Sequence, residues 1–526
     1  MAFTFQINTD VEFIHDENLL KKAEENKPVI QTRKVFPVCI AELIKDETQL
    51  NGITAKQSKK DLSQLPSYGW KRDDRLILDF GDHMVGKFEI DIDQTGSPMD
   101  APLYLRIKFA EVPSELEAES RDYNGWLSRS WIQEEFVHFD QLPAKLSLPR
   151  RYSFRYVELK IIDTSPKWQA VFSNPTVTTE TSADSSSFKP LCLKDEKLQK
   201  IYNVGIKTLA DCMQDVFEDG PKRDRRLWLG DLRLQALADY ASFDNIALVK
   251  RCLYLFAGMT TKEGKISANV FVQPKNIPDD TFLFEYSLFF ISVLYDLHQA
   301  HPNEDLVREL YPTAKKQIDL SLQMFDKDGK LIPDEDYPVF VDWSNEFNKD
   351  TAGQAEMIYV LKQFIFLAET IGEPDINFYH EKLTLISRYA REHLYRPERK
   401  LFVTGNEEFN IASQVWMVLA GVMSPEENRE IMQTTIREMF PITGIATPYM
   451  YHHIVEALFQ AGLKDDAVTL MKNYWGKMID LGADTFWEAF DPNQPDYSPY
   501  GSPIVNSYCH AWSCTPVYLI KKYLTE

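Results

Sequence analysis

Apolar and polar positions change period once along this chain, close to residue 190. Before it, short runs at about 75–80, 87–92, 103–109 and 152–162 alternate apolar and polar side chains and are broken by Gly, Pro, Asn and Asp. Period-two runs bounded by turn residues are the pattern of half-buried strands, and several of them in succession predict a β-sandwich. The stretch 176–188, T-V-T-T-E-T-S-A-D-S-S-S-F, is poor in apolar residues and reads as a linker. Beyond residue 194 the period is helical, with helices expected at roughly 195–217, 232–256, 282–301, 304–324, 351–371, 377–394, 413–422, 425–439, 449–461, 465–478 and 505–523. No repeat of 30 to 50 residues accompanies them, which favours a closed α/α barrel over a solenoid. The fold expected is multidomain: an N-terminal β-sandwich with its linker over 1–187, then an all-α barrel over 188–526.

A formal charge of −21 argues against nucleic acid or an anionic membrane surface as partner, since polyanions are held by clustered Lys and Arg. The N-terminal residues M-A-F-T-F-Q-I-N-T-D lack the basic and apolar regions of a signal peptide, and no run is long enough to span a bilayer, so a cytoplasmic protein is expected. Six scattered cysteines match neither a disulfide framework nor a metal spacing and are read as reduced. No metal and no cofactor is implied, and a homodimer remains open. The aromatic share of 13% is high enough to suggest a cleft in which rings stack.

Candidate chemistry concentrates in Asp219 to Asp231, D-G-P-K-R-D-R-R-L-W-L-G-D, where three carboxylates, four cationic side chains and Trp228 lie ahead of an expected helix. A helix start needs one cap and one acid at most. Paired carboxylates beside a large aromatic surface suit protonation of a glycosidic oxygen and activation of water; a solvated loop of self-neutralising charge is the alternative. Further candidates are Asp342 with Trp343 in V-F-V-D-W-S-N-E-F, Glu488 between Trp487 and Phe490, and His510 with Trp512 in N-S-Y-C-H-A-W-S-C. Trp343 and Trp512 could equally be core, and His510 on an apolar helix is more often a satisfied core histidine. An acid between two aromatic side chains has a raised pKa unless a cation compensates.

The segment 219–231 resembles the D-C-P-Q-R-D-E-R-L-G-W-T-G-D signature of the α-L-rhamnosidases of glycoside hydrolase family 78. Gly482 to Glu488, G-A-D-T-F-W-E, is similar to that family's G-A-T-T-x-W-E, Asn506 to His510 to its late Asn and His, and Leu78 to Asp82 with Val85-Gly86 to the strand of its β-domain. The resemblance implies a β-sandwich ahead of an (α/α)6 barrel that releases terminal non-reducing α-L-rhamnose with inversion. By it Glu488 is the general base. The family's acid is the Glu of R-D-E-R, and Arg225 stands there instead, with one residue missing before Trp228. Asp224 is the first candidate acid, Asp231 the second and Asp219 the third. Asp219 is otherwise expected on sugar hydroxyls, His510 on a hydroxyl, Arg223 orienting the acids, and Trp228, Trp343, Trp487 and Trp512 against the sugar ring. Three neighbouring arginines would hold Asp224 ionised, so they must point elsewhere. Two alternatives stand beside this: another inverting glycosidase on the same barrel, or a carbohydrate-binding protein whose acid position is disabled.

Overall fold

In the computed structural model, which describes residues 6–186 and 188–525, the change of period is a change from sheet to helix. Ahead of the sheet lie β1 (Phe13–His15) and α1 (Glu17–Glu25), the latter capped by Asp16, which accepts from the amides of Asn18 and Leu19. Then come β2 (Gln31–Val35), β3 (Cys39–Lys45), β4 (Ile53–Gln57), β5 (Arg75–Gly96), β6 (Leu103–Ala110), β7 (Glu134–Phe139), β8 (Ala144–Ser147), β9 (Tyr152–Asp163) and β10 (Trp168–Thr181). Among the described residues they form one antiparallel sheet in the order β2-β10-β5-β9-β6-β7, with β3 and β8 also paired to β5 and β4 to β3. The runs 75–80 and 87–92 are two parts of the single strand β5. Its register with β9 slips between Asp79 and Met84, where Gly81 takes φ 82, so the strand bends without ending. Leu78, Phe88, Ile90, Leu105, Phe154 and Leu159 pack the core of this half. Residues 176–181, expected in the linker, belong to β10: Val177 and Thr179 point inward, and the strand pairs with β2 and β5.

The helical half comprises α2 (Glu196–Cys212), α3 (Leu229–Tyr240), α4 (Ile246–Ala257), α5 (Phe284–Ala300), α6 (Glu304–Leu322), α7 (Asp350–Ile371), α8 (Asn377–Tyr389), α9 (Ile411–Leu419), α10 (Pro425–Met439), α11 (Pro448–Gln460), α12 (Lys464–Asp480) and α13 (Pro516–Leu524). Helix α3 packs on α5, α5 on α7, α7 on α9 and α9 on α11, while α13 touches both α11 and α3. Helices α3, α5, α9 and α11 are buried almost all round, whereas α6, α8, α10 and α12 bury only one face. Short strands join the helices: β11 (Leu227–Trp228), β12 (Met259–Thr261), β13 (Asn269–Phe271) and β14 (Ile277–Pro278). Strand β1 pairs with β12, and α1 packs on α4, with Arg251 donating to the Ala23 carbonyl at 2.7 Å. Residues 13–25 are thus attached to the helical half. No helix among the described residues is long and apolar enough to cross a membrane.

Two helix boundaries differ from the expectation in ways that matter for the site. The run 232–256 is divided into α3 and α4 because Asn245 caps α4 through the Leu248 amide while Asp239 accepts from the Asn245 amide. The run 505–523 is α-helical only from Pro516, a residue suited to a first helical turn. Residues 506–515 hold only a single 3-10 turn, Ala511–Ser513, and His510 lies just before it, so His510 does not lie on an apolar helix.

Candidate active site

At the end of the helical half that faces the sheet, the 219–231 loop, the 482–491 loop and the 497–515 segment enclose a cavity with about 390 Å³ of empty space. Asp219, Asp224, Asp231, Glu488 and His510 face it, and Trp228, Leu283, Tyr286, Phe340, Trp343, Tyr500 and Trp512 complete its wall.

Asp219 organises the loop. Its carboxylate accepts from the amides of Asp224 at 3.1 Å and Arg226 at 3.0 Å, and its own amide donates to the Arg226 carbonyl at 3.0 Å. The three arginines diverge from Asp224. Arg223, fully buried, donates through Nη2 to Glu488 and through Nε to the Val505 carbonyl at 2.7 Å, and its guanidinium lies 4.1 Å from the centre of the Tyr500 ring. Arg225, in the left-handed region at φ 64, turns out of the cavity to the Arg151 carbonyl of the sheet half, at 2.9 Å. Arg226 lies over Phe271 with Asp279 at 4.0 Å. The nearest guanidinium nitrogen to the Asp224 carboxylate is Arg223 Nη1 at 3.9 Å, so one guanidinium sits between Asp224 and Glu488 and is hydrogen-bonded to the second.

Glu488 is held on every side. Arg223 and the Tyr500 hydroxyl donate to its carboxylate, its amide donates to the Ser507 carbonyl at 3.0 Å, and its carbonyl accepts from Trp512 Nε1 at 2.9 Å. Burial pushes its pKa up, and Arg223 and Tyr500 oppose that shift. Burial and the nearby Asp224 push Asp219 up to about 8, against the amides it accepts. Burial, then Asp219 and Glu488, hold Asp231 well above the usual carboxylate range. His510 is driven well below its ordinary value by burial and by Arg223, so its imidazole is neutral. Asp231 Oδ1 and His510 Nδ1 are buried 3.5 Å apart, and neither has a hydrogen-bond partner. Buried polar atoms left in this way on a cavity wall are sites for ligand hydroxyls.

The structure moves two expected residues off the cavity. Asp342 accepts from the amides of Ser344 and Ala446, both at 2.9 Å, and from the Thr447 hydroxyl, which makes it a staple between two loops. Trp487 packs against Phe490 and Tyr508 in the core behind Glu488. Their neighbours Trp343 and Glu488 face the cavity instead. Tyr286, Phe340 and Tyr500 were not anticipated. The Pro- and Gly-rich run Y-S-P-Y-G around Tyr500 resembles an ordinary turn, and nothing local to it indicates that the phenol reaches Glu488.

The sheet half holds this loop from behind. Lys222, buried beside Arg223, donates to Glu115 and to the Asn506 carbonyl at 2.8 Å, with Glu111 at 3.9 Å. Glu111 accepts in turn from the Tyr508 amide at 2.7 Å and lies 3.3 Å from His83 Nε2, whose Nδ1 is 2.6 Å from Asp211 of α2.

Several carboxylates facing one another in a small aromatic pocket on a helical body define a site of the glycoside-hydrolase class. Residues 37–179 match the glycosyl hydrolase family 78 alpha-rhamnosidase N-terminal domain, and residues 188–524 the bacterial alpha-L-rhamnosidase 6 hairpin glycosidase domain. A structure of a rhamnosidase from Klebsiella oxytoca with rhamnose bound is 44% identical, over 98% of this chain and 100% of that one, with a TM-score of 0.94. The alpha-L-rhamnosidase of Streptomyces avermitilis is 22% identical over 449 residues, 83% of this chain; the chain spans 41% of that protein's length. A family 78 rhamnosidase from Bacillus sp. GL1, 19% identical over 85% of this chain and 46% of that one, shares the fold with a TM-score of 0.71. The chain belongs to glycoside hydrolase family 78.

Proposed function

We propose that this protein is an inverting α-L-rhamnosidase, releasing terminal non-reducing α-L-rhamnose with Asp224 as general acid and Glu488 as general base. The observation that carries this reading is the arrangement of the arginines. Of the four carboxylates on the cavity only Glu488 is hydrogen-bonded to Arg223; Asp224, the next in reach of that guanidinium at 3.9 Å, is not, while Arg225 and Arg226 turn away. An inverting site needs this asymmetry: one carboxylate kept ionised to take a proton from water, another free to carry a proton to the leaving oxygen. Asp224 gives its proton to the glycosidic oxygen as the bond to C1 breaks. Water attacks C1 from the opposite face and passes a proton to Glu488. Neutral His510 and Asp231, whose buried carboxyl favours its proton, face sugar hydroxyls, and the aromatic wall takes the ring face and the C6 methyl group.

The succession α3, α5, α7, α9, α11, α13, with α13 back against α3, supports an (α/α)6 barrel with the remaining helices outside it. The long bent β5, paired along its length with β9, β10, β3 and β8, supports a β-sandwich divided from the barrel at 187/188. Unbridged thiols, including Cys212 and Cys509 with sulfurs 3.9 Å apart, favour a reducing compartment such as the cytoplasm. The rhamnose held by the Klebsiella oxytoca protein supports the choice of sugar.

A screen of p-nitrophenyl glycosides tests the substrate: the α-L-rhamnoside should be turned over, and binding without turnover would favour the carbohydrate-binding alternative that Arg225 suggests. Asp224→Asn should lower turnover of an unactivated rhamnoside by about 10² to 10⁴-fold and that of the p-nitrophenyl glycoside far less. Equal losses on both would move the acid to Asp231. The first product seen by NMR should be the β-anomer, and α-L-rhamnose would overturn inversion.

A further inference from the structure

The 23 residues 111–133, between β6 and β7, leave the sheet half and reach across to the 497–505 segment at the rim of the cavity. Tyr123 and Ile132 pack there with Tyr500, Ile504 and Val505. At the tip of this loop is Trp126, 45% exposed and the most exposed tryptophan among the described residues. Its ring centroid lies 5.3 Å from that of Tyr500, whose other neighbour Trp343 is 5.9 Å away at 76°. Tyr500 and Trp343 line the cavity, so the three rings run from the wall outward to the surface. The indole is also fixed: Trp126 Nε1 donates to the Pro499 carbonyl at 2.9 Å. Gly125 approaches so closely that a Cβ would fall 2.1 Å from the Tyr500 carbonyl oxygen, which anchors the loop against the rim.

We propose that Trp126 is the platform of the leaving-group subsite, and that the leaving group it favours is a flat ring, a phenol. The inference rests on the α-L-rhamnosidase reading and deepens it. Tyr286, Phe340, Trp343 and Trp512 wall the cavity on its inner sides, so a group attached at C1 of a sugar held there extends to the rim. There it meets an indole face already held in place by a hydrogen bond, which removes most of the ordering cost of a stacking contact. A methyl leaving group is too small to cover that face.

The test compares Trp126→Ala with the unmodified protein. KM for p-nitrophenyl α-L-rhamnoside should rise about five- to tenfold, as expected for the loss of one aromatic stacking partner, while the inhibition constants of L-rhamnose and methyl α-L-rhamnoside stay within about twofold. Trp126→Phe should recover most of the affinity for the aryl glycoside. The proposal is overturned if the aryl KM does not move. It is also overturned if all three constants rise together, because Trp126 would then act through Tyr500 on the sugar pocket. Absence of any rhamnoside turnover by the unmodified protein would instead defeat the underlying reading, and this proposal with it.

Discussion

Lys222→Met tests whether the sheet half sets the position of the catalytic loop. The ammonium is 1% exposed and sits against Glu115 and Glu111, whose side chains are 6% and 0% exposed. Removing one partner of a buried ion pair costs about 3 to 5 kcal/mol, because the charge left behind is neither solvated nor paired. Protonation recovers part of that, and burial already raises the pKa of Glu115. Without Lys222 the folded-state pKa of Glu115 rises further above its unfolded value. The stability tied to its protonated form is then full in acid and is lost as pH rises, so the variant's deficit should be larger at pH 8 than at pH 5. Thermal unfolding at both values measures this. Adding Glu115→Gln should restore most of the loss, since the amide oxygen can still accept from the Glu111 and Val112 amides that Glu115 now holds. Lys222 lies two residues before Asp224, so kcat should fall by more than KM changes. A single variant that melts with the unmodified protein at both pH values would refute the brace, and so would a double variant no more stable than the single one.

Tyr500→Phe removes a hydroxyl that donates to Glu488. Hydrogen bonds to charged groups are worth about 1.5 to 3 kcal/mol, so the acidic limb of the kcat/KM profile should move up by roughly one to two pH units; an unmoved limb would separate Tyr500 from the base. Asp219 is held at about 8 by burial and Asp224, above its unfolded value, so its contribution to stability is lost as pH rises through about 8. Asp219→Asn should flatten part of that decline in denaturant midpoints between pH 5 and pH 8. The rest is shared among other carboxyls raised by burial, among them Asp239, also held at about 8, and Asp231.

The sequence carried the change of period near residue 190, the carboxylate-rich loop, and Glu488 and His510, because each is written in residues close to one another in the chain. The directions of the arginines are not written that way. Arg223, Arg225 and Arg226 differ only in which distant group receives them: Glu488, the Arg151 carbonyl or Phe271. The pair Asp342 and Trp343 could not be separated either, since adjacent residues in an irregular loop face opposite ways and the Thr447 staple lies 105 residues on. Spacing misled at 505–515, where apolar side chains fit a helical period although no α-helix forms before Pro516. The division of α3 from α4 was legible in Asp244-Asn245, a capping signal inside what looked like one helix.

The pairing of β1 with β12 has a consequence for synthesis on the ribosome. Phe13 to His15 find their partners in Met259 to Thr261, about 245 residues later in the chain. At about 5 to 20 residues per second the first segment waits roughly 10 to 50 s for its binding site to emerge. During that interval Phe13, Leu19, Leu20 and Ala23, which later cover the core of the helical half, are open to chaperones or to a neighbouring nascent chain. Residues 13–25 therefore settle late, and they close the helical body only after α4 has formed.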